Sequence, residues 1–189
     1  MKLAIRIVLV SLLFATAAWA QQVQVSADYL YQGSNHVPGA TDWFAANGAR
    51  ADISVGNWRH LSFVGEFAGT HVSNLNSSGT GQTLFTYMGG LRRTIPLGGI
   101  GEKRKISAFA QVLVGDVHAS EGLFPSGTAM KTSADSFALS AGGGLEAGLG
   151  RGISLRLIQA DYLYTHLPNL YDSYQSSFRI GAGVAFRFH

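Results

Sequence analysis

One pattern constrains this chain more than any other: apolar and non-apolar residues alternate with a period of two, again and again, from Val23 to Phe188. The last stretch is the cleanest. Phe178, Ile180, Ala182, Val184, Phe186 and Phe188 fall on one side, against Arg179, Gly181, Gly183, Ala185 and Arg187. Successive side chains of a strand point to opposite faces, so a run of this kind is a strand with one apolar face. A second clear run is Ser136 to Ala147, with Phe137, Leu139, Ala141, Gly143, Leu145 and Ala147 opposite Ser136, Ala138, Ser140, Gly142, Gly144 and Glu146. The same alternation predicts strands over Val23–Tyr31, Ala49–Val55, Leu61–Ala68 and Phe85–Arg92. Ser107–Gly115 follows less cleanly, with Gln111 set between apolar neighbours. In Ile153–Tyr164 the parity changes near Leu157, which requires one extra residue, a bulge. Eight strands result.

Turn signals agree with that division. Pro removes a ladder donor, so Pro38, Pro96, Pro125 and Pro168 are expected between strands. Connections alternate in length. Gly56–His60 and Gly148–Gly152 are short and Thr94–Lys105 is intermediate. Gln32–Asn47, Val72–Gln82, Val117–Ala134 and Thr165–Ser176 are long and all lie at the other end. Short turns at one end and long loops at the other is the pattern of a transmembrane barrel.

Residues 1–20 precede this pattern and read as a secretory signal peptide. Lys2 and Arg6 form the basic segment, Ile7–Phe14 is apolar apart from Ser11, and Ala18-Trp19-Ala20 provides the small residues of a cleavage site. Cleavage after Ala20 leaves a barrel of residues 21–189. The whole chain carries a net charge of +3, but 2 of the 14 basic residues are in the leader, leaving 12 against 11 acids. A nucleic-acid partner therefore has no electrostatic footprint. With no cysteine, disulfides, thiolate metal sites and a lipidated cysteine are excluded.

A soluble barrel and a membrane barrel both alternate, but they invert the faces. After the leader only Lys103, Lys105 and Lys131 are lysines, and none falls in the expected strands. A water-facing surface is normally about a quarter to a third charged. Here the less apolar face is mostly Gly, Ser, Ala and Thr, which suits the crowded interior of an eight-stranded barrel. Its charges are Arg50, Arg92, Arg156, Arg179 and Arg187 against Asp28, Asp52, Glu66, Glu146 and Asp161. Equal numbers of each sign are what a closed lumen needs, since an unpaired buried charge is costly. These ten residues are the expected lumen charge network, packed rather than an open pore. Aromatic residues then form two girdles. Tyr29, Tyr31, Phe67, Phe85, Tyr87, Phe137, Tyr162, Tyr164 and Phe178 lie near the loop end, and Trp58, Phe63, Phe186 and Phe188 near the other.

On these residues the chain resembles the small eight-stranded outer-membrane β-barrels of Gram-negative bacteria, the OmpA-like, porin-type family, over residues 21–189. Gly183-Val184-Ala185-Phe186-Arg187-Phe188 resembles the family's terminal signal, a glycine followed by two aromatics two apart, though here His189 follows. The resemblance implies that Gly183, Phe186 and Phe188 are read by the barrel-assembly machinery. It also implies location in the outer membrane, with outer-membrane lipids and lipopolysaccharide as neighbours. Phe137-Ala138-Leu139 with Gly142–Glu146, and Arg156 with Gln159–Tyr162, look like members of the same group. A peptidoglycan-binding role is not implied.

Ala27-Asp28-Tyr29-Leu30-Tyr31 recurs as Ala160-Asp161-Tyr162-Leu163-Tyr164. Both copies flank the closing strand, so Asp28 and Asp161 are expected to pair with Arg179 or Arg156. His71-Val72-Ser73-Asn74 resembles the His-x-Ser-Asn motif of outer-membrane lipid A deacylases. That motif lies later in its own barrel, however, and no acid here stands downstream to orient the histidine. His36, His71, His118 and His166, one per long loop, lack metal-ligand spacing and read as solvated. Lys103-Arg104-Lys105 reads as a turn anchored at headgroups, and Gly98-Gly99-Ile100-Gly101 as a flexible turn without the context of a phosphate loop.

The expectation is an all-β, eight-stranded antiparallel up-and-down transmembrane barrel. It is expected to be a monomer without catalytic, cofactor or metal site, with a structural or surface-binding role through its loops and any extracellular ligand held there. The alternatives are a narrow porin-like channel, a lipid A-modifying enzyme and a soluble periplasmic barrel.

Overall fold

The computed structural model describes residues 22–34, 44–73, 81–99, 105–126, 129–167 and 174–188. They form eight strands: β1 (Val23–Ser34), β2 (Phe44–Trp58), β3 (Leu61–Val72), β4 (Gln82–Gly99), β5 (Lys105–Ser126), β6 (Ala129–Gly150), β7 (Ile153–Thr165) and β8 (Gln175–Phe188). Each pairs antiparallel with the next, and β8 returns to β1, where Val25 faces Phe186 and Asp28 faces Gly183. The result is a closed, all-antiparallel barrel with strands in sequence order, as the alternation predicts. Closure leaves no unpaired sheet edge, the condition for a sheet to cross a bilayer.

Parity decides what faces where. In β1, Ser26, Asp28, Leu30, Gln32 and Ser34 are buried inward while Val25, Tyr29 and Tyr31 are exposed outward. Around the barrel the outward face is apolar, carrying among others Ile53, Phe67, Leu91, Val112, Leu139, Leu155 and Val184. The bulge falls where the parity predicts it. Leu145 pairs with Ile158 and Glu146 with Arg156, so Leu157 is the extra residue. Leu157 and Ile158 both face out, and Arg156 and Gln159 both face in.

The two tight turns are β2–β3 and β6–β7. Arg59 and His60 have φ of 51° and 68°, and Arg151 and Gly152 have 53° and 77°. Two successive residues at positive φ match the right-handed twist of the flanking strands. Thr94 donates its N–H to the His60 carbonyl at 2.8 Å, tying the first turn to β4.

Two expectations fail. Pro96 and Pro125 are not between strands. Pro96 is in β4 opposite Ser107, at a register break before Gly98, and Pro125 is in β5 opposite Met130. Both stand in distal strand extensions beside ladder irregularities, where a missing donor is tolerated. Residues 117–134, expected as a loop, are mostly a continuation of β5 and β6, each 22 residues long. They pair down to Ser126 with Ala129, with a break between Ser120 and Phe124. Beyond the barrel a hairpin needs no apolar face, so the period-2 signal stops while the pairing goes on. Pro38 and Pro168 lie outside the described residues, as do residues 1–21.

Candidate functional site

The inward side chains arrange themselves in levels along the barrel axis, and the middle level is ionic. The β7 bulge starts it, because the extra residue turns both Arg156 and Gln159 into the lumen. The Arg156 guanidinium donates through Nη1 to Asp28 Oδ2 at 2.8 Å, Asp52 Oδ2 at 2.6 Å and Gln159 Oε1 at 3.0 Å. Through Nε and Nη2 it donates to Glu146 Oε1 at 3.1 and 2.9 Å. Arg50 reaches Asp28 at 3.1 Å, Asp161 at 2.5 Å and Glu66 at 3.9 Å. Arg179 holds Glu66 at 3.0 Å and stands 3.9 Å from Asp161. Arg92 holds Asp52 at 3.0 Å, and Arg187 lies 3.9 Å from Glu146. All ten charges named from the sequence are thus brought into one connected network.

Its members come from every strand but β5, and uncharged groups supply that one. Gln111 of β5 accepts from Arg92 Nε and Nη2 at 2.9 and 2.7 Å and donates to Glu66 at 3.3 Å. Gln159 donates to both oxygens of Asp161, at 3.0 and 3.2 Å. Ser26 donates to Asp52, Ser140 accepts from Arg179, and Gln24 donates to both Glu146 oxygens. Phe109 lies against two cations, with the Arg92 and Arg156 guanidinium carbons 4.6 and 5.1 Å from its centroid. The ring's quadrupole attracts each guanidinium, and Asp52 bridges the two. Gln24, Ser26, Phe109, Gln111, Ser140 and Gln159 were not singled out from the sequence as site residues. An amide at an inward-parity position between apolar neighbours, as at Gln111, is the signal that marks such a group.

The aspartates of the repeated Ala-Asp-Tyr-Leu-Tyr segments do flank β8 and meet the expected arginines, Asp28 with Arg156 at 2.8 Å and Asp161 with Arg179 at 3.9 Å, but a third arginine joins both. Asp28 is shared by Arg156 and Arg50, and Asp161 is held by Arg50, with Arg179 further away. Arg50, absent from the expectation, is the cation common to both. Each aspartate faces a glycine across the ladder, Gly183 for Asp28 and Gly142 for Asp161. A Cβ at Gly183 would collide with Asp28 Oδ1 and the Ala27 carbonyl, and one at Gly142 would lie 2.5 Å from Asp161 Oδ1.

Above and below, the lumen changes character. Val64, Leu84, Met88, Leu113, Val117, Ala119, Ala138, Leu163 and Leu167 make one buried apolar cluster, most of it on the loop side of the network. Near the β1 loop end, Gln32, Ser34, Ser177 and Thr70 hydrogen-bond to one another. At the end carrying the chain termini a cavity of about 490 Å³ is lined by His60, Lys105 and Ser154, among others, and meets the network at Arg92, Glu146 and Arg187.

The remaining candidates stand apart. Phe186 and Phe188 are exposed on the outer face near the termini, and Gly183 lies at the level of the network. His71 and Ser73 are exposed, with His71 Nδ1 2.9 Å from Thr83 Oγ1. His118 Nδ1 lies 2.6 Å from Asp135 Oδ1, and His166 is exposed. His36, Lys103 and Arg104 lie outside the described residues. Among the described residues no group of three metal-ligating side chains converges.

No protein-family model matches the sequence, and no curated protein does. Solved structures do. Neisserial surface protein A superposes with a TM-score of 0.59 at 14% identity, over 88% of this chain and 97% of that one. The outer membrane protein OprG from Pseudomonas aeruginosa gives 0.54 at 13% identity, over 90% and 97%. At such identity the likeness is one of fold: the chain has the fold of the small eight-stranded outer-membrane β-barrels.

Proposed function

We propose that this chain is an integral protein of the bacterial outer membrane that enters it after loss of residues 1–20. It is a monomer whose barrel is a sealed structural support, and its loops carry the contacts with the exterior. The observation behind this reading is the Arg156 guanidinium, fully buried and bonded to residues of β1, β2, β6 and β7 at once. A lumen spanned from wall to wall by ion pairs has no continuous water path, and the apolar cluster on its loop side adds a second barrier. An exposed apolar belt of this extent on a water-soluble barrel would drive aggregation; in a bilayer it is the surface that meets lipid and lipopolysaccharide. The β5–β6 hairpin, continuing the ladder past the barrel, gives the loop end a stiff projection suited to binding an external ligand. Near-neutral charge after the leader argues against nucleic acid, and Gly183, Phe186 and Phe188 are the proposed contact with the barrel-assembly machinery.

The test is electrical. In planar bilayers the folded protein is expected to give no steady unitary conductance at neutral pH. A reproducible single-channel step at the protein's own concentration dependence overturns the sealed-lumen reading in favour of a narrow porin.

A further inference from the structure

The outward face of β4 carries one residue that an apolar belt does not account for. Its odd-numbered positions are Leu91, Arg93, Ile95 and Leu97, and all four are exposed. Arg93 thus sits between aliphatic side chains along its own strand, and its ladder partners on either side are Leu61 and Ala110. Leu61 in turn pairs with Trp58, whose ring lies 5.2 Å from the Arg59 guanidinium. A guanidinium this close to hydrocarbon must reach polar groups at the bilayer boundary, extending its stem along the apolar surface. It matches a phosphate in particular, whose oxygens accept its paired donors.

Charge around the barrel points the same way. Outside the lumen, the described cations at the end carrying the termini are Arg59, Arg93 and Arg151, and Lys105 stands at the mouth of the cavity there. The outward-facing acids among the described residues, Asp116 and Asp135, both lie in the loop-end half. An asymmetry of this sign suits an anionic lipid leaflet at the termini end.

We propose that Arg93, supported by Arg59 of the β2–β3 turn, binds the headgroup phosphate of an anionic phospholipid in the leaflet at the end carrying the chain termini. The inference rests on the membrane reading above and adds a lipid class and a residue to it. It is tested by electron spin resonance on the full chain reconstituted in phosphatidylcholine bilayers with trace spin-labelled phosphatidylglycerol or spin-labelled phosphatidylcholine. The wild type is expected to immobilise phosphatidylglycerol about fivefold in preference, with the ratio falling towards one in Arg93→Gln, kept only in part in Arg93→Lys, which retains the charge but not the paired donors, and reduced by molar salt in the wild type. Millimolar inorganic phosphate should leave the preference intact. Equal immobilisation of both lipids by the wild type, an unchanged ratio in Arg93→Gln, or loss of the preference to free phosphate overturns the proposal. Immobilisation of neither lipid instead overturns the membrane reading itself.

Discussion

At the scale of single residues, Arg156 and Arg187 make an instructive contrast. Both are lumen arginines of the same network, yet Arg156 is fully buried among three acids, whereas the Arg187 side chain is 34% exposed at the rim. Removing one partner of a buried ion pair leaves the other charge uncompensated, at about 3–5 kcal/mol, whereas exposed pairs contribute about 0–1 kcal/mol. Arg156→Gln should therefore lower the urea midpoint of the detergent-folded barrel markedly, and Arg187→Gln hardly at all. Equilibrium unfolding followed by tryptophan fluorescence checks the pair, and equal midpoints would mean that water reaches the network from the cavity. Asp161→Asn should also lower the midpoint, because it leaves Arg50 with Asp28 alone within 3.5 Å. The glycines opposite Asp28 and Asp161 belong to the same argument, since Gly183 and Gly142 supply the space in which each carboxylate turns to its arginine.

Among the elements, β8 does two separable things. Its inward residues, Arg179 and Gly183, join the charge network, while Phe186 and Phe188 lie exposed on the outside against Val25 and Val23 of β1. If the outer pair is an assembly signal, its effect is on delivery and not on stability. Phe186→Ala with Phe188→Ala is expected to reduce the amount of barrel recovered in the outer membrane of cells several-fold. The same variant should still refold into detergent micelles, with a midpoint shift smaller than that of Arg156→Gln. Comparing membrane fractions with in vitro refolding yields distinguishes the two, and parallel losses would mean that the aromatics serve only closure. The β5–β6 hairpin shows the opposite relation between pattern and element. Its ladder continues to Ser126 and Ala129 although the sequence from His118 onward has no alternation to announce it.

For the whole molecule, closure of eight strands around paired charges predicts resistance to detergent. Every strand is hydrogen-bonded to a neighbour on both sides, and unfolding must open the network and the ladder together. Unboiled protein from the outer-membrane fraction should migrate on an SDS gel differently from boiled protein. Recovery from the periplasmic fraction with no heat-dependent shift would overturn the assignment of the apolar face to lipid.

Alternation alone was enough to specify strand number, the facing of each strand, the bulge at Leu157 and the identity of the ten inward charges, because side-chain parity is a local property of an extended chain. Which arginine meets which acid was not local. The repeated Asp-Tyr-Leu-Tyr segments point to Arg179 or Arg156 as partners, and both are there, but curvature also brings Arg50, on β2, between Asp28 and Asp161. The amides of Gln111 and Gln159, the ring of Phe109 against two guanidinium groups, and the buried apolar cluster likewise depend on which walls of the barrel face each other. That is set by strand stagger and tilt, quantities that belong to the closed sheet and to no single strand.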